Sequence, residues 1–175
     1  FRLAFSDASV RVFENRNVLP RAFLVPLSGV DVVPEEDAQF ERLTSSAFDP
    51  ARRVILGEAP AAPLVSGNVP APFAPGVEAI TEHVNDTSLR ASVTEPSILV
   101  LSQTHYPGWK VFVDGSERRL LRVDYGLTGV LLEPGRHDVL FRYGPGFLWP
   151  GAAISVAGLA ICLGVWLGRP RTPSA

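Results

Sequence analysis

WKVFVDGSERRLLRVDYGLTGVLLEPGRHDVLFRY, residues 109–143, is the stretch whose reading decides the fold. β-branched and aromatic residues alternate with polar ones, and the runs are broken by turn chemistry rather than by helix signals. Asp114-Gly115 is a strong two-residue hairpin signal, because both residues tolerate the left-handed φ that primed turns require. Pro134-Gly135 marks a second tight turn. The runs predicted as strands here are 109–113, 118–123, 128–133 and 137–143. Upstream, 77–84, 88–94 and 98–104 have the same character. Short strands at this spacing predict a mainly β domain, an antiparallel β-sandwich or jelly-roll-like fold, and a meander brings consecutive strands together.

Towards the N-terminus, residues 10–13 and 21–25 read as short strands around the polar turn at 14–17. Pro34 followed by Glu35, Glu36 and Asp37 marks the start of a short N-terminal helix, since negative charge suits that end. Phe40, Leu43 and Ala47 then form its predicted apolar face. Residues 52–56 return to strand. From 57 to 76, five prolines (Pro60, Pro63, Pro70, Pro72, Pro75) stand among Ala, Gly and Ser. Proline removes the donor that a ladder needs, so this segment is expected to be an exposed linker inside the domain.

Downstream, no charged residue occurs between Arg142 and Arg169. About 20 apolar residues at about 1.5 Å each cross a hydrocarbon core of about 30 Å. Trp149 and Trp166 stand near the ends of the run, where indoles favour the headgroup zone. The expected organisation is an extracytoplasmic domain over 1–145, a transmembrane helix over 146–168 and a cytoplasmic tail over 169–175. Arg169 and Arg171 in that tail set the orientation by the positive-inside tendency. The chain contains no Met and no signal-like leader, which leads us to expect the C-terminal part of a larger protein with earlier spans. Ala160, Gly164 and Gly168 recur every four residues, which would let such upstream helices approach closely.

Composition excludes several classes. Sixteen basic residues against eighteen acidic ones, with no basic run, argue against nucleic acid as a partner. Cys162 is alone, so no disulfide framework or thiol metal site is expected. No GxSxG elbow and no HExxH helix accompanies His83, His105 and His137, and no catalytic residue, metal or cofactor is assigned.

Binding residues are easier to nominate. His105, Tyr106, Trp109 and Asp114 have the composition of a sugar platform, aromatic faces with polar groups beside them. The structural alternative is that Trp109 packs in the core, sharing a strand face with Val111 and Val113. Tyr125 ends another strand on what would be the same rim as Tyr106. Arg21 and Arg142 suit a phosphate or lipid headgroup, the alternative for Arg142 being a cation reaching to the membrane interface.

Residues 106–115 (YPGWKVFVDG), residues 121–143 and a terminal membrane helix resemble the C-terminal end of the bacterial membrane protein family YfhO. ENRNVLPRAFLV (14–25) and SSAFDP (45–50) resemble earlier landmarks of that family; Leu127 and Thr128 depart from it, standing where an aromatic and a basic residue are common. The resemblance implies a polytopic protein of the bacterial cell membrane similar to GT-C-type glycosyltransferases. Such enzymes use polyprenyl-phosphate sugars to glycosylate cell-envelope polymers at the outer face. It further implies that catalytic acids lie in an early loop outside this chain, so this part would assist acceptor binding or active-site architecture, with cell-wall glycan, polyprenyl-phosphate sugar and the bilayer as partners. The alternative is a structural, sensory or adhesive ectodomain without activity.

Overall fold

The computed structural model describes residues 1–16, 18–63, 76–146 and 148–167. Most of the Pro-rich linker and the whole tail with Arg169 and Arg171 lie outside the described residues.

The domain is mainly β. Strands β1 (Arg2–Ser6) and β2 (Arg11–Glu14) form a separate two-stranded ribbon. A five-stranded sheet contains β6 (Val77–Glu82), β7 (Asp86–Val93), β9 (Trp109–Val113), β10 (Ser116–Arg118) and β13 (Gly135–Tyr143), in the order β10-β9-β13-β7-β6. A six-stranded sheet contains β3 (Ala22–Pro26), β4 (Val30–Val32), β5 (Val54–Leu56), β8 (Ser97–Thr104), β11 (Leu121–Val123) and β12 (Leu127–Leu132), in the order β3-β8-β12-β11-β5-β4. Pairing is antiparallel apart from β4 with β5, which run parallel.

The two larger sheets share a core. Leu24, Leu99, Leu101, Val130 and Leu132 from one meet Leu89, Val111, Val139 and Phe141 from the other. A second cluster lies on the opposite face of the six-stranded sheet, where Phe23, Val25, Val54, Leu56, Ile98, Val100, Leu121 and Val123 are also buried. This explains why β3 and the first half of β8 read as continuous apolar runs rather than alternating ones: both of their faces are covered.

The expected meander is replaced by a path that changes sheet repeatedly. The predicted strand 118–123 is two strands: β10 pairs with β9, whereas β11 pairs with β12 and β5. Residues 119–120 carry the chain between packed sheets roughly 10 Å apart, and one straight strand cannot belong to both. The hairpin signal itself holds. Asp114 (φ 51°) and Gly115 (φ 78°) are both left-handed and join Val113 to its ladder partner Ser116.

Helix α1 (Glu36–Thr44) also differs from expectation. It stops before Ala47, and Phe40 is 55 % exposed. The inward residue is Gln39, whose Nε2 donates to the Val33 carbonyl at 2.8 Å. A helix this short packs against a sheet margin through one turn, and a polar residue that satisfies an orphan carbonyl suits that place better than a large ring.

α2 runs Leu148–Leu167, and its described side chains are exposed. Among the described residues no helix is long and apolar enough to cross a membrane, so the fold does not establish the span expected over 146–168. The side chains at 149, 165 and 167 lie outside the description, which leaves a continuous described run of only 150–164.

Candidate functional site

Ladder register brings one set of loops to a common end. β8 finishes beside the start of β12 (Thr104 opposite Leu127), and the His105 N–H donates to the Gly126 carbonyl at 2.7 Å. Residues 105–108 then lead into β9, whose Trp109 stands opposite Tyr143 at the end of β13. Thus the loops bearing Tyr106 and Tyr125 adjoin, and they lie at the end from which the chain leaves for α2.

Tyr106 is 58 % exposed and Tyr125 is 45 % exposed. Tyr125 has a left-handed backbone (φ 66°). Its ring meets Phe40 edge-on, with centroids 6.1 Å apart, and the Arg122 guanidinium lies 5.9 Å from its centroid. Arg122 is held in turn by Glu36 at 2.7 Å. Helix α1 and strand β11 therefore assemble an exposed aromatic pair with a charged pair beside it. Tilted rings with a hydrated edge can stack on the apolar face of a pyranose, while the guanidinium and carboxylate address hydroxyls. His105 stands close enough for Arg122 to influence it. Burial first, and the positive Arg122 second, hold its imidazole below the ordinary value, so it is neutral at pH 7 and able both to donate and to accept.

The other nominated residues separate from this cluster. The Trp109 ring is half-buried against the core and packs on Tyr143 at 5.5 Å, which takes it out of any open platform. Asp114 lies at the opposite end of β9, some 17 Å away at about 3.3 Å per residue. There its carboxylate accepts from His137 Nδ1 at 2.7 Å and from the Asp138 N–H at 2.9 Å. Asp114 is thus a hairpin clasp and does not join Tyr106. Arg21 is engaged too, pairing with Glu82 at 2.7 Å and donating to Gln103 and to the Ser102 carbonyl. It ties the two sheets together at their shared end. Arg142 is exposed and borders a groove of about 710 Å³ across the outer face of the five-stranded sheet, with Arg90, Phe112 and Asp138.

Sequence reasoning did not nominate Phe40, Arg122 or Glu36. Phe40 falls on the apolar face that periodicity predicts for its helix, and Arg122 lies in a strand too short to show which sheet it faces. The exposed middle position of the buried-exposed-buried strand β11 is the one signal that would have pointed to Arg122.

Gly108 shapes the loop under Tyr106. Its φ is +107°, and a Cβ there would meet the Tyr143 ring at 2.9 Å and the Gly144 carbonyl at 3.3 Å. Gly108→Ala is expected to cost about 1–3 kcal/mol through the strained backbone alone. Thermal unfolding reads that cost, and displaced Trp109 and Tyr143 ring resonances would locate it.

Residues 77–155 match the family model described as bacterial membrane protein YfhO. The match leaves residues 14–25 and 45–50 outside its bounds. No curated protein and no solved structure gives a significant match. The family that this segment resembles is one of membrane proteins. Through the segment that runs from β6 into α2, the chain is similar to the bacterial membrane protein family YfhO.

Proposed function

We propose that this chain is an extracytoplasmic β-domain and an adjoining membrane helix of a polytopic GT-C-type glycosyltransferase. In this reading the whole protein transfers sugars from polyprenyl phosphate to cell-envelope polymers, and this part holds the acceptor glycan close to the bilayer. α2 supports the membrane reading: its 20 residues would extend about 30 Å, the thickness of a hydrocarbon core, and carry no charge. Its C-terminal flank has only arginine as charge, which favours a cytoplasmic tail.

The observation that carries the binding role is the exposed Tyr125–Phe40 pair with Arg122 and Glu36, beside Tyr106, at the end of the sandwich that leads into α2. Weak binding, on the order of 1 mM or about −4 kcal/mol, suffices for a membrane-tethered acceptor that is locally concentrated. Trp109 packed on Tyr143 favours a second contribution, a stiff joint that braces the domain on its helix.

NMR titration of the chain in lipid nanodiscs with cell-wall oligosaccharides tests the binding role. Shifts should cluster at Phe40, Tyr106 and Tyr125. Tyr125→Asn removes the ring but keeps a residue that tolerates φ near +60°, so the fold should persist. It should weaken binding roughly tenfold, about 1.4 kcal/mol. The absence of shifts at tens of millimolar oligosaccharide, or equal binding by the variant, would leave only the bracing role.

A further inference from the structure

The turn between β6 and β7 carries an unusual residue at its tip. Val84 is 96 % exposed, while turns normally place polar or small residues there. The tip is fixed rather than loose. The His83 N–H donates to the Asp86 carbonyl at 2.8 Å, and the Tyr143 N–H donates to the Asn85 carbonyl at 2.8 Å. Tyr143 is the last residue of β13, and Leu148 opens α2. Five Cα steps separate them, a reach of no more than about 18 Å even when fully extended.

The neighbours of this tip are those of a membrane-water boundary. Trp109 and Tyr143 pack at a tilt at the joint, the Gly144 N–H is tied to the Gly108 carbonyl at 2.9 Å, and Arg142 sits one residue before Tyr143. In the ladder Arg142 stands opposite Lys110 on one side and Asp86 on the other, and it forms no ion pair among the described residues. Aromatic rings with one wet edge, a cation free to meet phosphate, and an apolar tip together fit a lipid headgroup layer.

We infer that the β6–β7 tip at Val84 and the Arg142–Tyr143 joint dock on the outer headgroup layer of an anionic bilayer. The sandwich thereby stands on the membrane at a fixed tilt instead of swinging on the short link to α2. This rests on the reading of α2 as a membrane span, and it adds a second attachment to it. The Tyr125–Phe40 pair, on the six-stranded side of the same end, is then held just above the lipid surface.

Depth measurement separates the two ideas. An environment-sensitive fluorophore would be placed at Val84→Cys or, as a control at the far end, at Glu95→Cys, each in a Cys162→Ser background. A third sample carries the label on native Cys162. All are reconstituted in phosphatidylcholine vesicles with or without phosphatidylglycerol and quenched by lipids bearing a nitroxide at the headgroup or along the acyl chain. The expected result is headgroup quenching at position 84, at least threefold stronger than at 95, together with acyl-chain quenching at 162. Arg142→Gln should reduce the position-84 signal in the anionic vesicles and leave it unchanged in the neutral ones. If 162 is quenched from the acyl region while 84 behaves like 95, α2 spans the membrane and the docking inference is wrong. If 162 is not quenched from the acyl region, the span itself is wrong, and this inference falls with it.

Discussion

Phe141→Ala is expected to lower the unfolding free energy by about 3–5 kcal/mol, the largest effect of any single truncation considered for this domain. Phe141 is fully buried in β13, between β7 and β9, and faces the six-stranded sheet from the middle of the shared core. Removing the ring deletes apolar contacts and leaves a cavity that flanking ladders cannot close, because both neighbours of β13 are hydrogen-bonded in register. For a chain of this size the midpoint of thermal unfolding should fall by roughly 10–15 °C. Val84→Ala, at the exposed tip, should change it by less than about 0.5 kcal/mol in detergent. A loss below about 1 kcal/mol for Phe141→Ala would mean that the two sheets do not share the core described.

Asp124→Asn should have the opposite sign at neutral pH. The Asp124 carboxylate is buried, where it accepts the Ile55 N–H at 2.8 Å, while its own N–H donates to the Ile55 carbonyl at 2.9 Å. Burial pushes its pKa up to about 6 from an ordinary 3.8, and the Ile55 N–H only partly offsets this. Between those values the folded chain holds the proton that the unfolded chain has released. Stability therefore falls as pH rises from about 4 to 6 and stays reduced above 6. Asparagine keeps the carbonyl acceptor, tolerates the left-handed φ of 48° and never ionises. It should stabilise the domain above pH 6 by no more than about 3 kcal/mol, and the difference from wild type should shrink towards pH 4. Urea midpoints measured from pH 4 to 8 read this directly. Asp124→Ala would leave the Ile55 N–H unpaired and should destabilise at every pH.

A second slope will remain in the variant. His137 loses something by burial, but Asp114 and the Glu133 carbonyl both face its ring nitrogens, and the net effect raises its pKa. Its contribution is complete below the ordinary imidazole value and is lost as pH rises through the folded one. This slope lies nearer neutrality, so the two groups can be told apart in one pH series. His137→Gln should remove it.

Turn chemistry was legible in the sequence, and so were most strand positions around it. Asp114-Gly115 and Pro134-Gly135 demand particular backbone conformations, which any fold must honour. Sheet membership was not legible. Strand alternation states which residues share a face, but residues 118–123 give no sign that the chain changes sheets at 119–120. Nor does periodicity over nine residues distinguish Gln39 from Phe40 as the inward position of α1. The candidate site was half legible for the same reason. Tyr106 and Tyr125 stand at turns, where exposure is readable from local signals. Phe40 and Arg122 join them only through packing between segments some eighty residues apart in sequence. Asp114 does not join them, because a strand separates its two ends by its full length and Asp114 follows the far end of β9.

The order in which the strands are made differs sharply from the order in which they pair. β3 pairs with β8, β5 with β11, and β13, the last of the described strands, lies between β9 and β7. The five-stranded sheet cannot be completed until β13 has been made, because a chain halted before residue 135 lacks its central strand. Loop closure over such separations makes folding slow, in the millisecond-to-second range typical of non-local β topologies. Phe23, Leu24 and Val25 must wait as an unpaired apolar edge until residues 97–101 arrive. The domain is therefore built to fold after synthesis of its strands is finished, and a holdase that shields residues 22–26 in the interval would raise its yield more than one acting on the completed chain.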